Sequence, residues 1–461
     1  MKFEADIREL SATDVLICGG GPSGISAALA AAREGLSVRL VESRGQLGGT
    51  GVSGLVTHWL GGRTHGGEMW VIGGLFRSLA EEATALGIAR LPVDKDYPDK
   101  YQPFGWARGL INGVPFEPFA MAAFLDRKLA DAGVEVIFDT QAVSPVLDGD
   151  RITHVVLSGK SGLFAAPAKL VIDATGDADI AARSGCTVQC GREGDGLTAP
   201  SSLEFLMEGV DEEALSRYIH VNDTPRFRPE IIRLREAGIW KFPYEILISV
   251  EMDQPGTMMI NTTRLCGIDG TDTMSVSEGL RRGRAEILEL AKILKEHIPG
   301  FEHSRIKAVA PMLGIRETRR IVGREIMTVQ DVLSLREYPD TIGYSAYGWD
   351  LPDPKKPSFQ PMTVQKIRIP KWIPIPYRVM LPDPVCNLIC PGRAIGVERD
   401  VLGPLREMAP CMAMGEAAGV AAGMALAGGS FREVDAEALR ARLRSHGAIL
   451  DVPESERGFR P

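Results

Sequence analysis

The sequence has no apolar run approaching the roughly 18 residues that a membrane helix needs, so no membrane span is expected among its 461 residues. It has no Cys-x-x-Cys pair. Its seven cysteines stand at 18, 186, 190, 266, 386, 390 and 411, and the close pairs Cys186/Cys190 and Cys386/Cys390 each enclose three residues. That spacing excludes the common zinc and dithiol motifs, and no tight run of four thiolates exists for an iron–sulfur cluster. Buried, reduced thiols and no metal are expected. Basic charge is also lacking. The net charge of −8 speaks against a nucleic-acid surface, which needs a positive field. Met1 to Leu10 mixes Lys2, Glu4, Asp6, Arg8 and Glu9, unlike a secretory signal, and the cytoplasm is the expected compartment.

What is abundant is glycine, 51 residues, several of them in clusters at Gly19 to Gly21, Gly48-Gly49, Gly61-Gly62 and Gly66-Gly67. Clustered glycine marks backbone that turns tightly or approaches another group closely. The first cluster lies in a βαβ pattern. Asp14-Val-Leu-Ile-Cys18 reads as a short buried strand entering Gly19-Gly20-Gly21-Pro22-Ser23-Gly24, and Ile25, Ala28, Leu29 and Ala32 follow at helical spacing. Gly35 ends that helix, and Ser37-Val-Arg-Leu-Val-Glu42 alternates into a second strand. Gly-x-Gly-x-x-Gly in this setting permits a tight turn, close approach to a pyrophosphate and close helix–strand packing. The helix end offers free N–H groups to phosphate, and Glu42 stands where an acid binds ribose hydroxyls.

Further along, a helix is expected near Pro118 to Ala132, a strand at Val134 to Phe138, and a buried strand at Leu170-Val-Ile-Asp-Ala174. The pattern then changes. Strands are expected at Ile246 to Val250 and Thr257 to Ile260, and a long helix from about Ser277 to His297 with its stop at Pro299-Gly300. Prolines 352, 354, 357 and 361 mark an irregular stretch. The tail returns to α/β character, with a strand at Leu388-Ile-Cys390 and a helix from about Pro410 to Ala427. The length exceeds what one core usually supports. Residues 1–200 and 371–461 read as two parts of one nucleotide-binding domain, with 201–370 as an inserted substrate domain.

Cys18 through Gly24 to Glu42, with Leu47-Gly48-Gly49-Thr50 and Asp173-Ala174-Thr175-Gly176-Asp177, resembles the glutathione-reductase-type FAD domain. Gly314-Ile-Arg-Glu-Thr-Arg-Arg-Ile-Val-Gly323, Ile375-Pro-Tyr-Arg378, Asn387-Leu-Ile-Cys-Pro-Gly-Arg393 and Leu405-Arg-Glu-Met-Ala-Pro-Cys-Met-Ala-Met-Gly-Glu-Ala-Ala-Gly419 narrow the likeness. Together they are similar to the bacterial FAD-dependent oxidoreductase family, distant relatives of fumarate-reductase flavoproteins. The resemblance implies an α/β fold, an FAD-binding Rossmann domain with an inserted α+β substrate domain. It implies FAD as cofactor, with Ser43 and Arg44 near the adenosine and Val143 offering backbone to the adenine. Ala174 to Gly176 would flank the dinucleotide, and Gly392 and Arg393 would approach the pyrophosphate or ribityl chain. Arg406 belongs to the same set, and N–H groups near Cys411 and Met412 would face the flavin N1–C2=O. Two departures stand out. Glu416 occupies a position where glutamine is common, and Asp350 is followed by Leu-Pro where a histidine often sits.

Three residues are catalytic candidates. Arg316, in a cluster with Glu317, Arg319 and Arg320, can grip a carboxylate or polarised carbonyl with its planar fork; an ion-pair network between domains is the competing reading for that cluster. His58 and, beyond it, His65 flank Gly61-Gly62 and can move a proton, or serve as plain loop histidines. Tyr347, with Tyr344 and Trp349, can wall a substrate, and Trp106 is a weaker candidate. No second βαβ fingerprint for NAD(P)H is present. The expected activity is hydride transfer between flavin and a small polar, anionic substrate. Two alternatives are an FAD-holding electron-transfer subunit and an FAD-dependent RNA-modifying enzyme. A small-molecule substrate and no nucleic acid are expected; a homo-oligomer or an electron-transfer partner is left open.

Overall fold

The computed structural model describes residues 4, 6–64, 69–91, 113–224, 226–358, 364, 369–453 and 456. Strand β1 (Thr13–Cys18) is apolar along Val15 to Cys18 and buried there on both faces, as a central parallel strand has to be. Gly19, at φ +111°, turns the chain into α1 (Pro22–Arg33), whose proline falls in the first turn, where a missing N–H costs nothing. β2 (Val38–Val41) returns parallel to β1. Helices α2 (Gly74–Ala85) and α3 (Pro118–Asp131) follow, and β3 (Glu135–Ile137) joins parallel to β2.

β4 (Gln141–Asp148), β5 (Arg151–Gly159) and β6 (Gly162–Asp173) form an antiparallel meander. β6 serves two neighbours. From Gly162 to Pro167 it pairs antiparallel with β5, and from Ala168 to Asp173 parallel with β1. The sequence changes where the role changes. The first half mixes exposed and buried positions, whereas Leu170 to Asp173 are all buried, because that half lies inside the parallel layer. The order across this eight-stranded sheet is β3-β2-β1-β6-β5-β4, with Arg8–Glu9 and the distant Leu388–Ile389 also pairing β6. The late segment therefore completes the sheet that the first residues began.

A second, antiparallel sheet combines β7 (Phe205–Glu208), β8 (Ser249–Glu251) and β9 (Met258–Ile260). Helix α4 (Thr273–His297) and β10 (Arg305–Val309) come next in the chain, and the strand order is β8-β9-β7-β10. This unit has its own core around Phe205, Trp240, Tyr244, Leu290 and Leu294. α4 begins four residues before the periodicity at Ser277 announces it, because the Asp272 side chain accepts the Ser275 N–H and caps the first turn. Met327 to Leu381 contribute to the first core, so the chain comes back to the nucleotide-binding unit well before its last strand.

The last long helix, α5 (Met408–Ala425), is apolar on every side and almost wholly buried. It crosses α1 with backbone against backbone. A Cβ on Gly415 would lie 2.1 Å from the Ser23 carbonyl oxygen, and one on Gly419 would lie 2.4 Å from that of Ala27. Among the described residues no helix is long and apolar enough to cross a membrane.

Inside that packing sits Glu416, 2% exposed. One carboxylate oxygen accepts the Leu75 N–H at 2.9 Å at the start of α2; the other, Oε1, has no hydrogen-bond partner among the described residues. Burial pushes this carboxyl up to about 7, against the smaller opposing effect of the Leu75 N–H. A carboxyl raised on folding stabilises the fold while protonated, and that contribution is lost as pH climbs from the ordinary carboxylate range through about 7. Glu416→Gln keeps the acceptor and cannot ionise. Chemical denaturation is expected to show the variant close to wild type at pH 5 and more stable at pH 8, by up to about 3 kcal/mol at 1.36 kcal/mol per pKa unit. An equal difference at both pH values would rule out this titration.

Candidate active site

The glycine cluster builds a cradle from two loops. Gly48 N–H donates to the Gly20 carbonyl at 2.9 Å, and a Cβ on Gly49 would come within 2.9 Å of Gly21 Cα. Gly19 and Gly24 are tight for internal reasons, since a Cβ would lie 2.4 Å from the Ala174 oxygen in the first and 1.9 Å from the Gly19 oxygen in the second. Gly21 is different. A Cβ there would meet nothing nearer than Gly49 Cα at 4.0 Å, so the space beside it is open. The N-terminus of α1 starts at Gly21 with no side-chain cap, which leaves N–H groups and the positive helix end facing that space.

Glu42 is buried beside the turn. Its Oε2 accepts the Gly20 N–H at 2.6 Å and its Oε1 accepts the Arg44 N–H at 2.8 Å and the Ser43 hydroxyl at 3.2 Å. It thus fixes the loop and keeps lone pairs that are not used by these bonds. Ser43 and Arg44 are exposed. Val143 sits in an irregularity of the β4–β5 ladder, between Ala142 paired with Leu157 and Ser144 paired with Val156. Its backbone polar groups are therefore outside the ladder register, as an adenine-binding position requires. On the other side Asp173, buried, accepts the Thr175 hydroxyl at 2.6 Å and the Ile180 and Ala181 N–H groups at 2.9 and 3.0 Å. This holds Ala174-Thr175-Gly176 in a fixed turn. Arg393 reaches over Gly176 to Asp177, 2.7 Å away, and its buried Nε has no hydrogen-bond partner among the described residues. Gly392, at φ +102°, brings that loop against Ser23 in the first turn of α1. An open glycine space, an uncapped helix end, an off-ladder backbone and an orphaned guanidinium N–H fit a dinucleotide.

One expectation about the last helix changes. α5 begins at Met408, two residues before Pro410, because Glu407 already has cap geometry. The Cys411 N–H is consequently spent inside the helix on the Glu407 carbonyl at 3.0 Å. The Ala409 N–H goes to the Leu60 carbonyl at 3.3 Å, tying the helix end to the glycine loop at Gly61. Cys411 and Met412 are buried in the large core. The positive end of the helix is thus centred on Glu407 to Ala409.

The charged cluster around Arg316 divides. Glu317 is buried and accepts two hydrogen bonds from Arg399, at 3.0 and 2.6 Å. Arg320 lies 3.8 Å from Glu317 and Arg319 pairs with Asp179 at 2.9 Å. Glu317, Arg320 and Arg399 thus form one buried ion-pair group, and Arg319 pairs apart from it with Asp179. Arg316 turns the other way. It donates to the Pro200 carbonyl at 2.6 Å, to Ser202 Oγ at 2.8 Å and to Asn261 Oδ1 at 3.5 Å. Arg264, buried in the loop after β9, uses the same Ser202 Oγ and Asn261 Oδ1, at 3.2 and 3.3 Å. Two guanidiniums share two neutral acceptors. Burial, and then the like charges of Arg264 and Arg406, lower the proton affinity of Arg316, outweighing the opposing charges of Asp350 and Glu204.

Arg406, expected with the cofactor set, joins this group. It donates to the Asp350 carbonyl at 2.7 Å, and its charge lies 3.3 Å from the Asp350 carboxylate and 3.2 Å from Glu407. Tyr347 is here too. Its phenol is pushed upward, first by burial and then by Asp350 and Glu407, so it is a neutral hydrogen-bond donor. Two buried acids complete the set. Burial raises Glu407 to about 7 against the opposing charge of Arg406, and raises Glu204 to about 8 against Arg316 and Arg264.

His58 does not share this neighbourhood. It lies in the short strand pair with Val114–Pro115, its Nδ1 3.3 Å from the Thr57 hydroxyl. Burial and then the charge of Arg90 lower it to about 3. It is a neutral, enclosed imidazole, with little basicity for moving a proton. Tyr344 packs edge-on against Trp372 and Trp349 belongs to the large core, so of the three aromatics Tyr347 alone is placed with the arginines. His65 and Trp106 lie outside the described residues. Glu204 and Arg264 were not read from the sequence. Their signal was slight: a lone acid between Leu203 and Phe205-Leu206-Met207, and a lone arginine closing Asn261-Thr-Thr-Arg264.

A parallel sheet closed by both ends of the chain, with a dinucleotide cradle and a buried charged cluster, defines a nucleotide-cofactor enzyme of the α/β class. The chain belongs to the family described as FAD dependent oxidoreductase, which matches residues 14–443. It is an FAD-dependent enzyme. Among curated proteins, a stretch of 236 residues is 26% identical to digeranylgeranylglycerophospholipid reductase 1 of Methanopyrus kandleri, covering 50% of this chain and 54% of that one. Another, of 185 residues, is 31% identical to thiamine thiazole synthase of Pyrobaculum arsenaticum, covering 38% and 60%. The matches thus span less than two thirds of each relative, and neither bears out the narrower bacterial label. Among solved structures, a geranylgeranyl bacteriochlorophyll reductase-like protein of Thermoplasma acidophilum is similar over 94% of this chain and 83% of its own, at 13% identity and a TM-score of 0.45. L-proline dehydrogenase from P. horikoshii is similar over 95% and 99%, at 12% identity and a TM-score of 0.44.

Proposed function

We propose that this enzyme moves a hydride between FAD and a small organic acid whose carboxylate is held by Arg264 and Arg316. The observation that carries this reading is the shared use of Ser202 Oγ and Asn261 Oδ1 by the two guanidiniums. Two like charges held side by side by neutral acceptors are an incomplete arrangement until an anion joins them. Planar forks suit a carboxylate better than a point charge does. Arg406, whose charge acts on both Arg316 and Tyr347, would with Tyr347 orient a second polar group.

The bound flavin supplies a two-electron acceptor or donor. The chain supplies the rest. The open side of Gly21 and the uncapped end of α1 would take the pyrophosphate, Glu42 the ribose and the Val143 backbone the adenine. Arg393, with Gly176 and Gly392, would meet the phosphates or ribityl chain. The dipole of α5, directed from Glu407 to Ala409, would favour negative charge on a flavin lying against it.

The test is an anaerobic panel in which the FAD-loaded protein, with no partner present, is mixed with small hydroxy, amino and unsaturated-chain acids while the flavin absorbance is followed. One or more carboxylates are expected to bleach the oxidised flavin, or to reoxidise the reduced one. Response only to uncharged compounds, or to none without a second protein, would overturn the reading; the second result would favour an electron-transfer subunit.

A further inference from the structure

Glu204 stands at the start of β7, facing the arginine pair. Its buried Oε2 has no hydrogen-bond partner among the described residues. Neither Arg264 nor Arg316 is bonded to it. Their N–H groups go to Ser202 Oγ, Asn261 Oδ1 and the Pro200 and Thr263 carbonyls. An acid and two guanidiniums are thus brought together in one buried place without pairing directly. The charged and titratable groups acting on Glu204 are Arg316 from the loop after β10, Arg264 from the loop after β9, and Glu407 from the start of α5.

These groups are energetically linked. Ionised, Glu204 is a built-in anion that partly neutralises the two guanidiniums and competes with any carboxylate for them. Protonated, it leaves both charges to the incoming anion. The reverse holds by thermodynamic necessity: an anion on Arg264 and Arg316 cancels the positive field that favours ionised Glu204, and so tightens its hold on the proton. Glu407, a second acid whose charge acts on Glu204, pushes in the same direction.

We propose that Arg264, Arg316 and Glu204 act as one unit that takes up a small carboxylate together with a proton, which Glu204 carries. This rests on the reading of the arginine pair as the anion site. The consequence is that the acid closest to the bound substrate is in its proton-bearing form whenever the site is filled.

Oxalate, which has no C–H bond and cannot give up a hydride, separates binding from turnover. Its binding to the FAD-loaded enzyme can be followed by calorimetry in two buffers of different ionisation enthalpy, so that the heat reports protons taken up per anion. At pH 6.5, where Glu204 is already protonated, uptake at this acid should be small. Toward pH 9 uptake should approach one proton per anion, with affinity falling about tenfold per pH unit. Glu204→Gln, with FAD content measured on the same sample, should bind oxalate without that proton and with an affinity that depends on pH between 7 and 9 less steeply than wild type. Glu204→Asp should restore uptake. If the Gln variant takes up the same proton as wild type, Glu407 or another group carries it and the proposal is wrong. Oxalate binding by wild type with no uptake at pH 9 would overturn it equally. No binding of oxalate at any pH would instead count against the anion site itself, and the proposal would fall with it.

Discussion

Gly21→Val is expected to give a folded protein that retains no FAD, whereas Gly24→Val is expected not to fold. The two glycines belong to one fingerprint and are three residues apart, yet they meet different surroundings. Gly21 has φ −76° and ψ −176°, an extended conformation open to any residue, and a Cβ there would lie 4.0 Å from its nearest protein neighbour. The protein gives that volume to no side chain of its own, and it lies where α1 presents its N-terminus. A valine would fill the place of the pyrophosphate and leave the polypeptide undisturbed. At Gly24 a Cβ would stand 1.9 Å from the Gly19 carbonyl oxygen and 3.3 Å from Ala174 Cβ. The obstacle is backbone, which cannot rotate away, and overlaps of that kind belong to the rare substitutions that cost more than about 4–5 kcal/mol. Flavin content and near-ultraviolet circular dichroism of the two purified variants distinguish the cases. Bound flavin in Gly21→Val, or native dichroism in Gly24→Val, would contradict this assignment of the loop.

The second large effect is expected at Arg316. Lysine keeps the charge and loses the fork. Its single nitrogen can take over the contacts that Arg316 Nη1 makes with the Pro200 carbonyl and Ser202 Oγ at 2.6 and 2.8 Å, but it has no second nitrogen to offer a ligand in two-point geometry. Arg316→Lys should therefore leave FAD content and melting temperature near those of wild type. Turnover with whichever acid reduces the flavin should fall at least tenfold, about 1.4 kcal/mol of transition-state stabilisation. A drop in FAD retention with unchanged turnover per bound flavin would instead make Arg316 a structural residue, held by Pro200, Ser202 and Asn261.

The sequence carried those parts of the molecule whose physics is local. Val15 to Cys18, the glycine turn, and the periodic alanines of α1 had to form a βαβ unit, and Leu170 to Asp173 had to be a strand covered on both faces. The boundary of α5 was less legible, because Pro410 is so typical of a first helical turn that it hid the earlier start after Glu407. Arg316, Arg319 and Arg320 look alike along the chain. Their different roles depend on Glu317 and Arg399 meeting across 82 residues, on the Arg319–Asp179 pair across 140, and on Arg264 reaching Ser202 from another strand. Glu204 and Arg264 were invisible for the same reason. Each is a single charge in an apolar context, and its meaning exists only once β7, β9 and the loop after β10 are adjacent. His58 is a further case: along the chain a histidine near a glycine-rich loop reads equally as a proton carrier or a plain loop residue, and only its burial beside Arg90 favours the second.

An anion site at Arg264 and Arg316 requires charge selectivity toward the substrate. For an acid that reduces the flavin anaerobically, the measurement is the rate of bleaching against concentration, repeated with the methyl ester of the same compound. The ester keeps the carbon skeleton and the reacting bond and lacks the charge. Loss of two charge-assisted hydrogen bonds, each worth about 1.5–3 kcal/mol, predicts apparent affinity at least a hundredfold weaker for the ester in wild type. In Arg264→Met the gap between acid and ester should shrink to about tenfold, the share of the one guanidinium that remains. An ester that binds and reduces the enzyme as well as its acid would show that no carboxylate is held at Arg264 and Arg316.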